Sequence, residues 1–149
     1  MDGMSDVERV VALADIYRLK ARRDRAVDTK DWTTYEALHA PDHYSHNDGM
    51  PRMDGAANMV RQVSRLMANV TSVHHSHTPD ITFESSTKAR GIWSMEDNLF
   101  WKQGEEDHWL RGFGYYHETY EKRDGLWLFT SRRLERIHVL TSPGARLGA

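Results

Sequence analysis

"DHWLRGFGYYHETYEKRDGLWLFTSRRL", residues 107–134, decides the fold. Large apolar and polar residues alternate through 107–123, and Asp124-Gly125 then interrupts them before a second apolar-rich run continues to Leu140. A period of two is the mark of a strand. Asp-Gly between two such runs is a strong hairpin signal. Upstream, "KARGIWSMEDNLFWK" (88–102) repeats the aromatic alternation. "TSVHHSH" (71–77) and "DITFESS" (80–86) read as two further strands separated by Pro79.

The first half of the chain has a different period. Ser5 followed by Glu8 forms a capping-box pattern that starts a helix. That helix is expected to run to about Asp28, with Val10, Ala14, Tyr17, Ala21, Asp24 and Asp28 on one face. Asp31 caps a short second helix ending near Leu38, and residues 41–55 read as a short strand and a turn-rich loop. A third helix is expected from Ala56 to Asn69, carrying Met59, Val60, Val63, Leu66 and Met67. Helices first and long antiparallel strands afterwards imply an α+β fold. The expected form is a curved, mostly antiparallel sheet wrapped around three N-terminal helices, with a single pocket between its concave face and the first helix. Residues 5–140 form the ordered core of one domain spanning 1–149, and "TSPGARLGA" (141–149) reads as a disordered tail.

Bulk properties narrow the function. The 149 residues suffice for one domain, and a net charge of −2 gives no basic stripe for nucleic acid. There is no cysteine, so thiolate chemistry, disulfides and Cys-type zinc sites are excluded. No apolar run is long enough to span a bilayer, and the N-terminus lacks the pattern of a secretory signal, so the expected location is the cytoplasm.

Strand alternation sorts the candidate pocket residues. Trp93, Met95, Asp97 and Leu99 share one face of their strand. In the next strand Trp109, Arg111, Phe113, Tyr115, His117 and Thr119 share one face, and His108, Leu110, Tyr116, Glu118 and Tyr120 the other. A surface of Trp93, Met95, Phe113 and Tyr115 punctuated by Asp97 and His117 suits an aromatic ligand; the alternative is an aromatic core or a wet face. The other face, with Leu110, Tyr116 and Tyr120, is apolar enough to seek a second copy of the chain. Asp28 lies at a helix C-terminus, where the dipole disfavours a carboxylate, so it is either a solvated turn residue or a group with a partner. In "VHHSH" (73–77), His74 and Ser76 point one way and His75 and His77 the other. No third ligand stands at metal-site spacing, so neither a metal nor another cofactor is expected.

Several of these segments resemble the SnoaL-like family of the nuclear transport factor 2-like superfamily. "IYRLKARRDRAVDTKDW" (16–32) is similar to its first-helix signature through Ile16, Leu19, Asp28 and Asp31-Trp32. "APDHYSH", "VHHSHTPDITF" and "ARGIWSMED" resemble successive strands, and Tyr120, Asp124, Gly125 and Trp127 the closing hairpin. The resemblance covers about residues 5–140 and implies a cone-shaped fold around a deep apolar pocket. In the dehydratase and dehydrochlorinase branch an Asp at the end of helix one pairs with a His on the strand after helix three. These carry over to Asp28 and His74. Arg23 stands where many relatives have Tyr, and Leu99 where some have a second pocket His; His117 lies on a neighbouring strand instead. The implied activity is a cofactor-independent lyase acting on a small aromatic or polycyclic hydroxylated compound. His74 is the general base and Asp28 its orienting partner, His117 or Tyr115 is the acid, and Arg23 stabilises developing charge. Trp93, Met95, Asp97 and Phe113 contact the substrate. The same dyad also fits aldehyde release, isomerisation or polyketide cyclisation, and the fold also serves non-catalytic binding. The resemblance further implies a homo-oligomer, a dimer or trimer.

Overall fold

Ser5 opens the first helix as its spacing predicts. Its hydroxyl accepts from the Glu8 amide, and the Glu8 carboxylate accepts from the Ser5 amide at 2.8 Å. The computed structural model describes residues 3–148, in which α1 (Asp6–Asp28) and α2 (Trp32–Ala37) lead into β1 (His39–Ser45) and β2 (Met53–Asp54). Then follow α3 (Ala56–Leu66), β3 (Thr71–Ser85), β4 (Lys88–Gln103), β5 (Glu106–Arg123) and β6 (Leu126–Thr141). The six strands form one sheet in the order β2-β1-β6-β5-β4-β3, antiparallel except for the β1–β6 pair. The α+β class with a mostly antiparallel, curved sheet is therefore the observed architecture. No helix among the described residues is long and apolar enough to cross a membrane.

Asp124 and Gly125 both adopt positive φ, 50° and 80°, the geometry a two-residue hairpin needs to match the twist of its strands. The register it sets, with Arg123 opposite Leu126, is interrupted between Thr119 and Tyr120 and again between Phe113 and Gly114. Each irregularity inserts a bend, and such bends let a long sheet curl.

Four details differ from the sequence expectations. Pro79 does not divide two strands. It sits at a register shift between Ser76 and Pro79 inside one continuous β3, where the missing amide is tolerated. The third helix stops at Leu66 rather than Asn69. The segment after Thr141 is ordered: Ser142 bonds His108 and the Trp109 amide, and Ala145 and Leu147 pack on the Met67, Val70, Leu99 and Trp101 cluster. Two apolar residues among small ones were too sparse to show a period. Finally, α1 is rotated from its expected orientation. Val10, Ala14, Tyr17 and Ala21 are exposed, and the buried face runs through Ala12, Ile16, Leu19, Lys20, Arg23, Asp24, Ala26 and Val27, so that of the expected face only Asp24 is buried and Asp28 half-buried. Two cations lie on that face, so an apolar count misplaced it.

Those cations enter a polar core. The Lys20 ammonium pairs with the Glu118 carboxylate, both shut off from solvent, and lies 4.0 Å from the Tyr116 ring centroid. Glu118 also accepts from Tyr120 at 2.7 Å, and Tyr120 accepts from the Trp93 indole at 2.8 Å. Burial pushes Lys20 below its ordinary value although Glu118 opposes this. Replacing Lys20 by Met strands a buried carboxylate and is expected to cost about 3–5 kcal/mol in urea unfolding. The double variant Lys20→Met/Glu118→Gln should lose less than the single. A double variant as unstable as the single would contradict a buried, mutually compensating pair.

Candidate active site

Lys20, Asp24 and Asp28 step by four along α1, and so share a face. Each meets the sheet. Asp24 accepts from the Ser76 hydroxyl at 2.7 Å, two residues along β3 from His74. Asp28 accepts three hydrogen bonds: from the Ser72 hydroxyl at 2.8 Å, the His74 amide at 2.9 Å and the His74 ring Nδ1 at 2.7 Å. Ser72, His74 and Ser76 alternate on the inner face of β3, which is why a helix face and a strand face meet three times.

The electrostatics follow. Burial alone would raise the Asp28 carboxyl, but the bonds from the His74 ring, the His74 amide and Ser72 outweigh it and hold the group below its ordinary value. An ionised Asp28 accepting at Nδ1 fixes a proton there, so that Nε2 is the lone-pair nitrogen whenever the ring is neutral. The His74 side chain is 11% exposed, and its Nε2 has no hydrogen-bond partner among the described residues.

His74 lines a cavity of about 110 Å³. Val27, Met53, Met59, Val63 and Leu99 form its apolar wall, and Leu147 of the C-terminal segment closes one side. Besides His74, its polar groups are Arg23, Tyr35, Ser45, Asn47, Asp97, Tyr116, Arg132 and Arg136. Arg23 donates to Tyr35 at 2.8 Å and to His39 Nε2 at 3.4 Å. Arg136 holds Asp97 through two bonds of 3.0 and 2.8 Å. That pair occupies the space over Gly112, where a Cβ would lie 1.7 Å from the Arg136 guanidinium. A side chain at 112 would displace the pair.

Arg23, Asp28, His74 and Asp97 are thus brought together. Trp93 and Met95 share the inner face, but they pack in the main core beside Tyr116 and Tyr120. Phe113, Tyr115 and His117 are on the other side of the sheet, contrary to expectation. Trp93 pairs with Tyr116, Met95 with Gly114 and Asp97 with Gly112, and residues directly opposite in an antiparallel pair share a face. The inner face of β5 therefore carries His108, Leu110, Tyr116, Glu118 and Tyr120. Phe113 and Tyr115 are each 37% exposed, and His117 lies 3.5 Å from Glu135 on the outer face. Alternation separates the faces within a strand but does not tell which face of one strand joins which face of the next. His75 and His77 are also on the outer face, each 3.3 Å from Glu96. A wider groove of about 510 Å³, lined by Tyr44, Arg52, Arg90 and His117, crosses that face away from the Asp28–His74 contact.

Tyr116, Arg132 and Arg136 were missed as site residues. Arg132, Leu134 and Arg136 alternate in "SRRLER", so the face was readable once the β5–β6 register was known.

Beneath Arg23, His39 and His43 are buried and neutral. His39 donates from Nδ1 to the Tyr35 carbonyl at 2.6 Å, and His43 from Nδ1 to the Phe129 carbonyl at 3.2 Å. Burial, helped by the Arg23 charge, pushes His39 well below its ordinary value and His43 down to about 4.

Residues 8–133 match the SnoaL-like domain family. Among solved structures, the chain superimposes on the hexachlorocyclohexane dehydrochlorinase LinA-type3 of Novosphingobium barchaimii with a TM-score of 0.81 at 19% identity, covering 95% of this chain and 97% of that one. A candidate scytalone dehydratase from Novosphingobium aromaticivorans gives a TM-score of 0.83 at 19% identity, covering 96% and 95%. ActVI-ORFA of Streptomyces coelicolor gives 0.71 at 13%, covering 85% and 98%. These likenesses show a shared fold.

The two buried histidines generate a pH dependence. Their folded affinities for a proton are depressed, so the unfolded chain binds more protons between about pH 6.5 and the folded values. Stability is complete above that window and falls as pH drops through it. His43 alone is expected to remove about 3 kcal/mol by pH 4. Urea unfolding between pH 7 and 4.5 checks this, and a flat profile down to pH 5 would contradict it.

Proposed function

Because this chain belongs to the SnoaL-like domain family, we propose that it is a cofactor-independent lyase working through His74 and Asp28. The observation that carries this is the 2.7 Å contact from Asp28 to His74 Nδ1, with the His74 ring lining a mostly apolar cavity. The substrate class is a small hydroxylated aromatic compound. A cavity of about 110 Å³ suits a single ring better than a polycycle.

Neutral His74 takes a proton from carbon next to a carbonyl. The C–H electron pair forms the new double bond, and the hydroxyl on the adjacent carbon departs. His117 and Tyr115 are outside the cavity, so the proton that the leaving hydroxide needs comes back from the His74 imidazolium, and water is released. Asp28 stabilises that imidazolium, and Arg23 offsets negative charge growing on the carbonyl oxygen. Exclusion of water strengthens both effects. The same base acting on a hydroxyl would cleave a carbon–carbon bond and release an aldehyde. Proton return to a different carbon would make the enzyme an isomerase, and attack of the carbanion on a second carbonyl a cyclase. A binding domain without catalysis is the reading from another class.

We place the protein in the reducing cytoplasm, which accords with its lack of cysteine. We also assign it a homo-oligomer contact on the outer face, where Val73, Ile92, Phe100, Phe113 and Tyr115 are 37–42% exposed. That contact moves from Leu110, Tyr116 and Tyr120, which face inward.

A mass-spectrometric screen of hydroxylated aromatic compounds tests the reaction. Loss of water or of a carbonyl unit is expected. His74→Ala should lower turnover about 10²–10⁴-fold, the usual contribution of acid–base assistance. Turnover with no change in mass would indicate an isomerase. Full activity in His74→Ala would contradict the proposal.

A further inference from the structure

Buried polar groups in folded proteins are almost always paired, and the cavity breaks this rule at one end. Arg132 is 7% exposed, and no hydrogen bond satisfies its guanidinium among the described residues. Its nearest carboxylate oxygen, on Glu118, is 4.0 Å away and is already committed to Lys20 and Tyr120. The guanidinium instead lies 3.7 Å from the Tyr116 ring centroid. The Tyr116 hydroxyl, 1% exposed, likewise makes no hydrogen bond, and neither does Nη1 of Arg23, 2% exposed, whose nearest carboxylate oxygen, on Asp24, is 3.7 Å away. All three side chains line the cavity that holds His74. Burial pushes the Tyr116 phenol well above its ordinary value, so it stays a donor.

Donors therefore converge on one space whose own acceptors are engaged elsewhere, Asp97 by Arg136, Asn47 by the Leu134 amide and Ser45 by His43. Resting on the reading that this cavity takes the substrate, we infer that the substrate carries a carboxylate, held by Arg132 and Tyr116 with Arg23 Nη1 at the margin. Water would satisfy the N–H groups and the phenol but would leave the buried cationic charge uncompensated, and a neutral carbonyl offers one acceptor atom. A carboxylate supplies two oxygens to the guanidinium fork, a third bond to the phenol, and the missing negative charge. The Asp97–Arg136 pair does not compete, since Arg136 spends both terminal nitrogens on Asp97. Binding at this end anchors the substrate and leaves its remaining atoms to the apolar wall and His74.

The test is calorimetric titration of the full-length protein, at fixed ionic strength, with matched acid and amide pairs: acetate and acetamide, 2-furoate and 2-furamide, benzoate and benzamide. At least one carboxylate should bind about tenfold or more tightly than its amide, the scale of a hydrogen bond to a charged group. Arg132→Gln should bring that ratio close to one, and Tyr116→Phe should lower it. The inference is overturned if no pair favours the acid in the wild-type protein. It is also overturned if the preference survives in folded Arg132→Gln, or in Tyr116→Phe should Arg132→Gln fail to fold. Binding needs no turnover, so the two readings fail separately. Carboxylate preference without any reaction upholds this site and counts against the lyase. Turnover of neutral compounds without carboxylate preference does the reverse.

Discussion

One face of the first helix is tied to the sheet by three charged contacts at four-residue intervals. Lys20 reaches Glu118, Asp24 reaches Ser76, and Asp28 reaches Ser72 and His74. The spacing allows little latitude. Turning the helix enough to free Asp28 would also pull Lys20 from a carboxylate that has no water to fall back on, and a stranded buried charge is costly. The pair at Lys20 thus sets the rotation of the helix, and the rotation sets where the Asp28 carboxylate lies. The same contacts explain why a carboxylate survives at a helix C-terminus, where the dipole opposes it. Three donors converge on it, two of them from a single residue of β3.

The sheet supplies the matching constraint. Gly112 makes room for Arg136 and Asp97, and the break in register at Phe113–Gly114 bends β5 and β6 together. Bending closes the inner face over the cavity, and Leu147 covers a remaining side. The cavity is thus walled by apolar residues from α1, β2, α3 and β4, while its charged groups come from α1, β4 and β6. His74 looks into it from the edge strand.

Much of this was legible in the chain, for identifiable reasons. The capping box at Ser5, the Asp124-Gly125 turn and the aromatic alternation each report local geometry, and each formed as expected. The Asp28 and His74 positions came from resemblance, since nothing in either segment alone distinguishes a paired carboxylate from a solvated one. The inner face of β5 was not legible. Phe113 and Tyr115 are as aromatic as Tyr116 and Tyr120, so composition could not choose between the faces; the long-range register with β4 did. The buried cations were hidden for a related reason. Lys20 and Arg132 read as surface residues until Glu118 and Tyr116, which lie far from Lys20 in sequence and on another strand from Arg132, are brought to them.

The whole account turns on Asp28 fixing the imidazole so that the His74 lone pair faces the cavity. Nitrogen-15 NMR of the His74 ring, recorded at alkaline pH so that the ring is neutral, reads this directly. The account predicts a protonated Nδ1 and an unprotonated Nε2 in the wild-type protein, with Asp28→Ala shifting the ring toward the Nε2–H tautomer. An Nε2–H tautomer in the wild type, or a ring unaffected by the loss of Asp28, would contradict it.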